Sequence, residues 1–168
     1  MIYLRAADRF DARALAELRA ASLIEIDVLP TLAAAAFVAA AARDFFTLFR
    51  TERVAAWVAC DGVRVVGSAC AVFYDRLPYP DGSRHAELCG VYVQPAYRSR
   101  GYASELVREV IVLTRAAGVR RTFLRPSKKA KSLYARLGFV ETELMLLADP
   151  AHSGEPADRA GVASPAGG

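Results

Sequence analysis

The stretch Tyr97–Ser104, YRSRGYAS, places two arginines and a glycine between a predicted strand and a predicted helix. The N-terminus of a helix carries N–H groups without intrahelical partners and a partial positive charge, and both favour a bound anion. Gly101 permits a positive φ angle or a close backbone approach, and Arg98 and Arg100 add two full charges. The pattern fits a pyrophosphate-binding turn, although by itself it is explained equally well by an ordinary solvated turn.

Other phosphate and metal motifs are absent from the sequence. No GK[ST] follows Gly101, as a P-loop would require, and the spaced glycines of a dinucleotide-binding fold are missing. The three cysteines, Cys60, Cys70 and Cys89, show neither CxxC nor Cys/His spacing, so they support no zinc site and no disulfide framework. We therefore expect no metal, and reduced thiols within the core.

Composition limits the class of protein. The chain has 168 residues, of which 54% are hydrophobic and 24% charged, which predicts one globular domain with a sizeable core. The net charge of +4 suits an anionic small molecule or a nucleic acid. Its arginines are not interleaved with exposed aromatics, which argues against a nucleic-acid-binding module.

We find no signal peptide, and the longest apolar run, Leu32–Ala42, is shorter than a membrane span of about 20 residues. We therefore expect a cytoplasmic protein without a membrane contact.

The periodicity of the chain predicts an α+β fold. Strands are predicted at Ile2–Ala7, Arg53–Cys60, Val63–Tyr74, His85–Val93, Arg121–Leu124 and Phe139–Leu147. Helices are predicted from Asp8 or Asp11 to Ser22, and at Thr31–Arg50, Ala103–Ala117 and Ser127–Leu137. This order gives a mixed, mostly antiparallel sheet flanked by helices, with a central β-α-β unit. We assign residues 1–147 to the domain and expect the Pro/Gly/Ala-rich tail, 148–168, to be disordered.

Two motifs in this order resemble the GNAT family of acetyl-CoA-dependent N-acetyltransferases. The pyrophosphate loop of the family, [Q/R]-x-x-G-x-[G/A], is matched at Arg98, Gly101 and Ala103. The later family motif, N-x-x-A-x-x-x-Y-x-x-x-G-F, is matched at Ala130, Tyr134, Gly138 and Phe139. The chain departs from this motif at Ser127, where the family usually has asparagine. The resemblance covers nearly all of Ile2–Leu147 and implies a GNAT-like acetyl-CoA-binding core.

The resemblance also implies where acetyl-CoA binds. Backbone groups of Val91–Val93 are expected to hydrogen-bond the pantetheine arm, and amides of Ser99–Ser104 are expected to hold the pyrophosphate. Ser127 is first a helix N-cap, with a cofactor contact as a secondary role. The residues expected at the cofactor are Val91, Tyr92, Val93, Arg98, Ser99, Arg100, Gly101, Tyr102, Ala103, Ser104, Ser127 and Tyr134.

Two residues are candidates for the proton transfers that amide formation needs. Tyr134 matches the family tyrosine that protonates the leaving thiolate; packing on Phe139 is the plain alternative. Glu87 lies six residues before Val93, the place of the catalytic glutamate in the histone acetyltransferase branch. In a plain strand it would share a face with Val93, unless a bulge at Gly90 intervenes, and a structural glutamate remains an equal alternative. We place His85 below Glu87 and expect its side chain to be solvated.

The predicted function is therefore transfer of an acetyl group from acetyl-CoA to a primary amine of a small molecule or peptide. The alternative is a GNAT-fold protein that binds acyl-CoA as a sensor or structural ligand without turnover. Tyr134 favours the enzyme, whereas the departure at Ser127 keeps the alternative open. The acceptor is not defined by any motif, and a homodimer is left open, with Phe45, Phe46 and Phe49 as core or dimer surface.

Overall fold

The computed structural model describes residues 1–78, 80 and 84–142. Its strands are β1 Ile2–Ala6, β2 Val54–Asp61, β3 Arg64–Asp75, β4 Arg84–Val93 and β5 Arg121–Phe123. Its α-helices are α1 Ala12–Glu25, α2 Ala34–Arg50, α3 Tyr102–Ala116 and α4 Lys131–Arg136. The chain divides into two compact units, Met1–Leu124 and Arg125–Gly168. The first unit holds the whole of the described sheet.

The sheet has five strands in the order β1-β2-β3-β4-β5. The first four strands pair antiparallel, and β4 and β5 pair parallel with α3 as the connection between them. A parallel pair needs such a crossover, because a tight turn can join only antiparallel strands. The predicted α+β fold with a mostly antiparallel sheet and a central β-α-β unit is confirmed.

Helices cover both faces of the sheet. On one face, Leu15 of α1 packs with Val54 and Val58 of β2 and with Cys70 of β3, and side chains of α2 close the cluster. On the other face, α3 contributes Leu106, Val107 and Val110, which are fully buried. Burial of one such side chain stabilises a fold by about 1.5–3 kcal/mol. The two apolar faces therefore fix β4 between α1 and α3.

The start of α1 is anchored to β1 through charge. Asp8 and Asp11 form a capping box around the turn Arg9–Asp11, and the guanidinium of Arg5 donates to both carboxylate oxygens of Asp11 at 2.7 Å. The hydrogen bond from Arg5 lowers the pKa of Asp11, although burial opposes it. Both aspartates at which the sequence predicted the helix to begin take part, and Asp11 ties the start of α1 to β1.

Helix α2 is the most apolar helix of the described part. With its preceding turn it spans Thr31–Arg50, 20 residues that could cross a membrane by length and composition alone, and an 18-residue window within them has a mean hydropathy of 1.6. This helix is longer than the apolar run Leu32–Ala42, whose short length was the reason that the sequence predicted no membrane span. Phe45, Leu48 and Phe49 pack against the core cluster instead. One such helix is weak support for a membrane span, since helices that pack on a core pass the same test.

Three sequence predictions fall on the C-terminal part of the chain. Residues 139–142 contain no regular secondary structure, and the rest of the predicted strand Phe139–Leu147 lies outside the described residues. The tail, 148–168, also lies outside them, so its predicted disorder and the domain limit at residue 147 stay predictions.

Candidate active site

Strand β4 contains a β-bulge at its centre. Cys89 pairs with Cys70, but Tyr92 pairs with Ser68, so Gly90 and Val91 together lie opposite the single residue between those partners. Gly90 adopts a φ of +58°, and its carbonyl accepts a hydrogen bond from Ser68 Oγ at 2.9 Å. A glycine suits this position because residues with a Cβ rarely adopt positive φ. The bulge that the sequence permitted at Gly90 is present.

The bulge decides which side chains of β4 share a face. Glu87 and Cys89 lie on the face covered by α1, and beyond the bulge Tyr92 takes that face. Val93 is buried on the α3 side instead. A plain strand would have put Glu87, Val91 and Val93 on one face, and the extra residue breaks that alternation. The α1 face of β4 therefore presents a carboxylate, a thiol and a phenol in sequence.

The second half of β4 is open on one edge. Strand β5 pairs only with His85–Glu87. In the part of the chain that the structure describes, the edge of Leu88–Val93 that faces away from β3 has no strand partner. Unpaired backbone N–H and C=O groups at such an edge require hydrogen-bond partners, from water or from a ligand. This opening can hold an extended ligand by main-chain hydrogen bonds.

The loop after β4 leads directly into an uncapped helix. Ser99 has a φ of +62°, and Gly101, the N-cap residue of α3, has a φ of +86°. Among the described residues, no side chain caps α3, and a Cβ placed on Gly101 would meet only Glu105 Oε1, at 3.8 Å. Left-handed backbone at a non-glycine residue such as Ser99 is uncommon and concentrates at functional sites. Among the described residues, the first N–H groups of α3 therefore have no side-chain cap and are available to a bound anion.

The two arginines of the loop have different surroundings. The guanidinium of Arg98 donates to both carboxylate oxygens of Glu25, at 2.9 and 2.5 Å, and its Nε donates to the carbonyl of Val93 at 2.8 Å. Arg98 thereby ties the loop to the end of α1, and its predicted phosphate contact stays a prediction. Arg100 is exposed and makes no ion pair within residues 1–78, 80 and 84–142. Of the two charges, Arg100 is the more available to a bound phosphate.

An aromatic cluster lies beside Glu87 on the α1 face. The ring of Tyr74 lies 5.9 Å from that of His85 and 5.6 Å from that of Phe123. Burial raises the pKa of Tyr74, and the negative charge of Glu87 adds to this rise. His85 is only 5% exposed and its Nε2 lies 3.5 Å from Arg76 Nη1, so the expectation of a solvated histidine is wrong. Sequence reasoning placed Tyr74 only at the end of a predicted strand and missed Arg76, because the strand register that brings them to His85 was unknown.

The family model described as "Acetyltransferase (GNAT) family" matches residues 20–139, which include the bulged strand and the uncapped helix. The chain belongs to the GNAT family of acetyltransferases. No curated protein sequence matches it at a significant level. The GNAT match covers both motifs found in the sequence.

Solved structures share the GNAT fold of this chain. A predicted acetyltransferase with acetyl-CoA from Clostridium acetobutylicum is 21% identical with a TM-score of 0.79, covering 89% of this chain and 96% of that one. A GCN5-related N-acetyltransferase from Ralstonia eutropha JMP134 is 19% identical with a TM-score of 0.76, covering 89% and 99%. A glucosamine-6-phosphate N-acetyltransferase from Arabidopsis thaliana is 12% identical with a TM-score of 0.66, also covering 89% and 99%. At these identities the likeness concerns the fold.

The second unit of this GNAT chain carries the remaining motif residues. Tyr134 is 9% exposed, and its ring packs edge-on against Phe139 with centroids 5.8 Å apart. The packing alternative for Tyr134 is therefore observed, and its role as proton donor stays a prediction. Ser127 occupies the N-cap position of the turn Lys128–Ala130, but its side chain makes no capping hydrogen bond. The expected capping role of Ser127 is thus limited to its carbonyl, which accepts from the N–H of Ala130 at 2.9 Å.

The described residues of this GNAT domain contain no group of three or more His, Cys, Asp or Glu side chains that could hold a metal ion. Cys60, Cys70 and Cys89 are free thiols.

Proposed function

We propose that the protein is an N-acetyltransferase that moves an acetyl group from acetyl-CoA to a primary amine by direct attack on the thioester. One observation carries the proposal: the outer edge of β4 is open along Leu88–Val93, and a short loop joins this segment to the uncapped N-terminus of α3. The open edge suits an amide-containing arm, and the helix terminus suits the diphosphate at the end of that arm. Acetyl-CoA supplies the activated acetyl group and contains both the amide-containing pantetheine arm and the diphosphate.

The chain's own groups hold and activate the donor. The amides of Ser99–Ser104 would bind the diphosphate, with Arg100 adding charge. Backbone groups of Val91–Val93 would align the pantetheine arm, and an N–H of this segment would polarise the thioester carbonyl, as an oxyanion hole does. Alignment of two reactants within a site can remove a large part of the activation free energy of a bimolecular reaction. We assign most of the rate enhancement to these backbone groups.

Two side chains would move the protons. An amine with a free pKa of about 10 must lose a proton before its nitrogen can attack. Glu87, half-buried on the α1 face of β4, would accept that proton directly or through water. The new C–N bond forms as the C–S bond breaks, and the hydroxyl of Tyr134 would give a proton to the leaving thiolate. The role of Tyr134 rests on its match to the family motif.

Thiol release from acetyl-CoA with a panel of primary amines tests the proposal. The panel contains a polyamine, an aminoglycoside, free amino acids and a peptide with a free N-terminus. We expect amine-dependent release of CoA with at least one of them. Binding of acetyl-CoA without release for any amine would instead support the sensor alternative. At 100 times its Kd, acetyl-CoA should stabilise the fold by about 2.7 kcal/mol, and an unchanged melting temperature would refute both functions.

We also propose a cytoplasmic location. Its support is the three free cysteines, because thiols of an oxidising compartment are usually paired in disulfides. Fractionation of cells that express the full chain tests this, and recovery with the membrane fraction would instead direct attention to the apolar helix Thr31–Arg50.

A further inference from the structure

Arg19 of α1 is a half-buried cation on the same face of the sheet as Glu87. It lies one helical turn after Leu15, whose side chain belongs to the core cluster against which Cys89 packs. Helix α1 packs on β3 and β4. Arg19 is therefore directed toward the bulged part of β4 rather than toward solvent.

Electrostatics agrees with this placement. Burial raises the pKa of the Cys89 thiol, the negative charge of Glu87 adds to that rise, and the positive charge of Arg19 opposes it. Burial likewise raises the pKa of the cross-strand neighbour Cys70, again against the charge of Arg19. Cys89 thus lies within the electrostatic reach of one cation on α1 and one anion on β4.

Neither charge is neutralised within the described residues. Of the ion pairs there, those of α1 join Arg13 to Glu17 and Arg98 to Glu25, and none includes Arg19 or Glu87. A charge withdrawn from water without a partner is costly, so a half-buried arginine normally has an anion beside it. Arg19 and Glu87 are thus two opposite, half-buried charges on one face of the sheet, and a ligand with a cation at one end and an anion at the other would complement both.

We propose that the acceptor is a primary amine that also bears an anionic group, with Arg19 binding the carboxylate or phosphate and Glu87 receiving the amine. This inference rests on the proposed function and narrows its acceptor class. Arg19 is then a specificity-determining residue. A guanidinium can bind either anion through two parallel hydrogen bonds, so both sources of negative charge belong in the test.

The test compares acceptors that differ only in the anion: amino acids against their amides, and glucosamine 6-phosphate against glucosamine. The kcat/KM ratio within each pair is measured for the parent, Arg19→Gln, Arg19→Lys and Arg13→Gln. Arg13→Gln removes the same charge from an exposed position on the same helix and serves as the matched control. The two acceptors of a pair also differ in the pKa of the amine. Because each variant is measured with the same pair, this difference cancels when the kcat/KM ratios of the variants are compared.

We expect the parent to prefer the anionic member of at least one pair about tenfold or more, the scale of a lost charge-assisted hydrogen bond. Arg19→Gln should abolish that preference, Arg19→Lys should retain part of it, and Arg13→Gln should match the parent. Unchanged acetyl-CoA affinity in Arg19→Gln shows that the variant is folded. Turnover of amines without this preference, or with a preference that survives Arg19→Gln, overturns the inference and leaves the acetyltransferase standing. No thiol release with any amine overturns both.

Discussion

A methyl group added at Gly101 tests whether the turn before α3 holds the diphosphate of acetyl-CoA. Gly101 has a φ of +86°, and a Cβ there would meet Glu105 Oε1 at 3.8 Å, an ordinary contact. Gly101→Ala therefore causes no collision within the described protein, but it costs about 1–2 kcal/mol of backbone strain. The same methyl group projects into the space that we assign to a phosphate oxygen.

Gly118, just beyond the other end of α3, supplies a matched control. Its φ is +77°, and a Cβ there would meet no described atom within 4 Å. Gly118→Ala therefore carries the same kind of strain at a position that the proposed cofactor does not touch. For a chain of this size, each kcal/mol lowers the Tm by about 2–4 °C, so both variants should lose roughly 2–8 °C.

The two variants should differ in affinity for acetyl-CoA. Loss of one amide hydrogen bond to a phosphate costs about 1.5–3 kcal/mol, which corresponds to a rise in Kd of roughly 10–150-fold for Gly101→Ala. Gly118→Ala should bind within about twofold of the parent. Isothermal titration calorimetry gives the Kd, and differential scanning fluorimetry without ligand gives the Tm. Equal Kd values for the two variants, at equal loss of Tm, would refute the phosphate-binding turn.

Three further substitutions test the proton transfers and the anchor of α1. Glu87→Gln should lower turnover most at low pH, where the amine most needs a base, and an unaltered pH–rate profile would exclude Glu87 as that base. Tyr134→Phe keeps the ring on Phe139 but removes the hydroxyl that we assign to the leaving thiolate, so turnover should fall at least about tenfold with unchanged acetyl-CoA affinity; parent-like turnover would leave Tyr134 a packing residue. The folded pKa of Asp11 is depressed by Arg5, so its stabilisation is complete above an unfolded pKa of about 4 and is lost as the pH falls through the folded pKa. Asp11→Asn should therefore be less stable than the parent at neutral pH, with a difference that shrinks in acid, and a difference independent of pH in urea unfolding would contradict this.

Local sequence was sufficient for features that depend on neighbours in the chain. Hydrophobic periodicity and turn residues indicate which segments form strands and which form helices, since side chains alternate along a strand and repeat every 3.6 residues along a helix. The aspartates that begin α1 and the glycine that begins α3 also act on backbone groups only a few residues away. The fold class, the helix terminus at Tyr97–Ser104 and the permissive glycine at position 90 could therefore be predicted.

The tertiary structure decided which charges face one another. Arg98 and Glu25 lie 73 residues apart in the chain and meet only because α1 crosses the end of β4. His85 is buried because the hairpin register sets it beside Tyr74, and Arg19 and Glu87 share a face only through the packing of α1 on the bulged strand. Spacing along a chain determines local hydrogen bonds, whereas the partner of a side chain depends on register and on the angle between packed elements, which no short segment specifies.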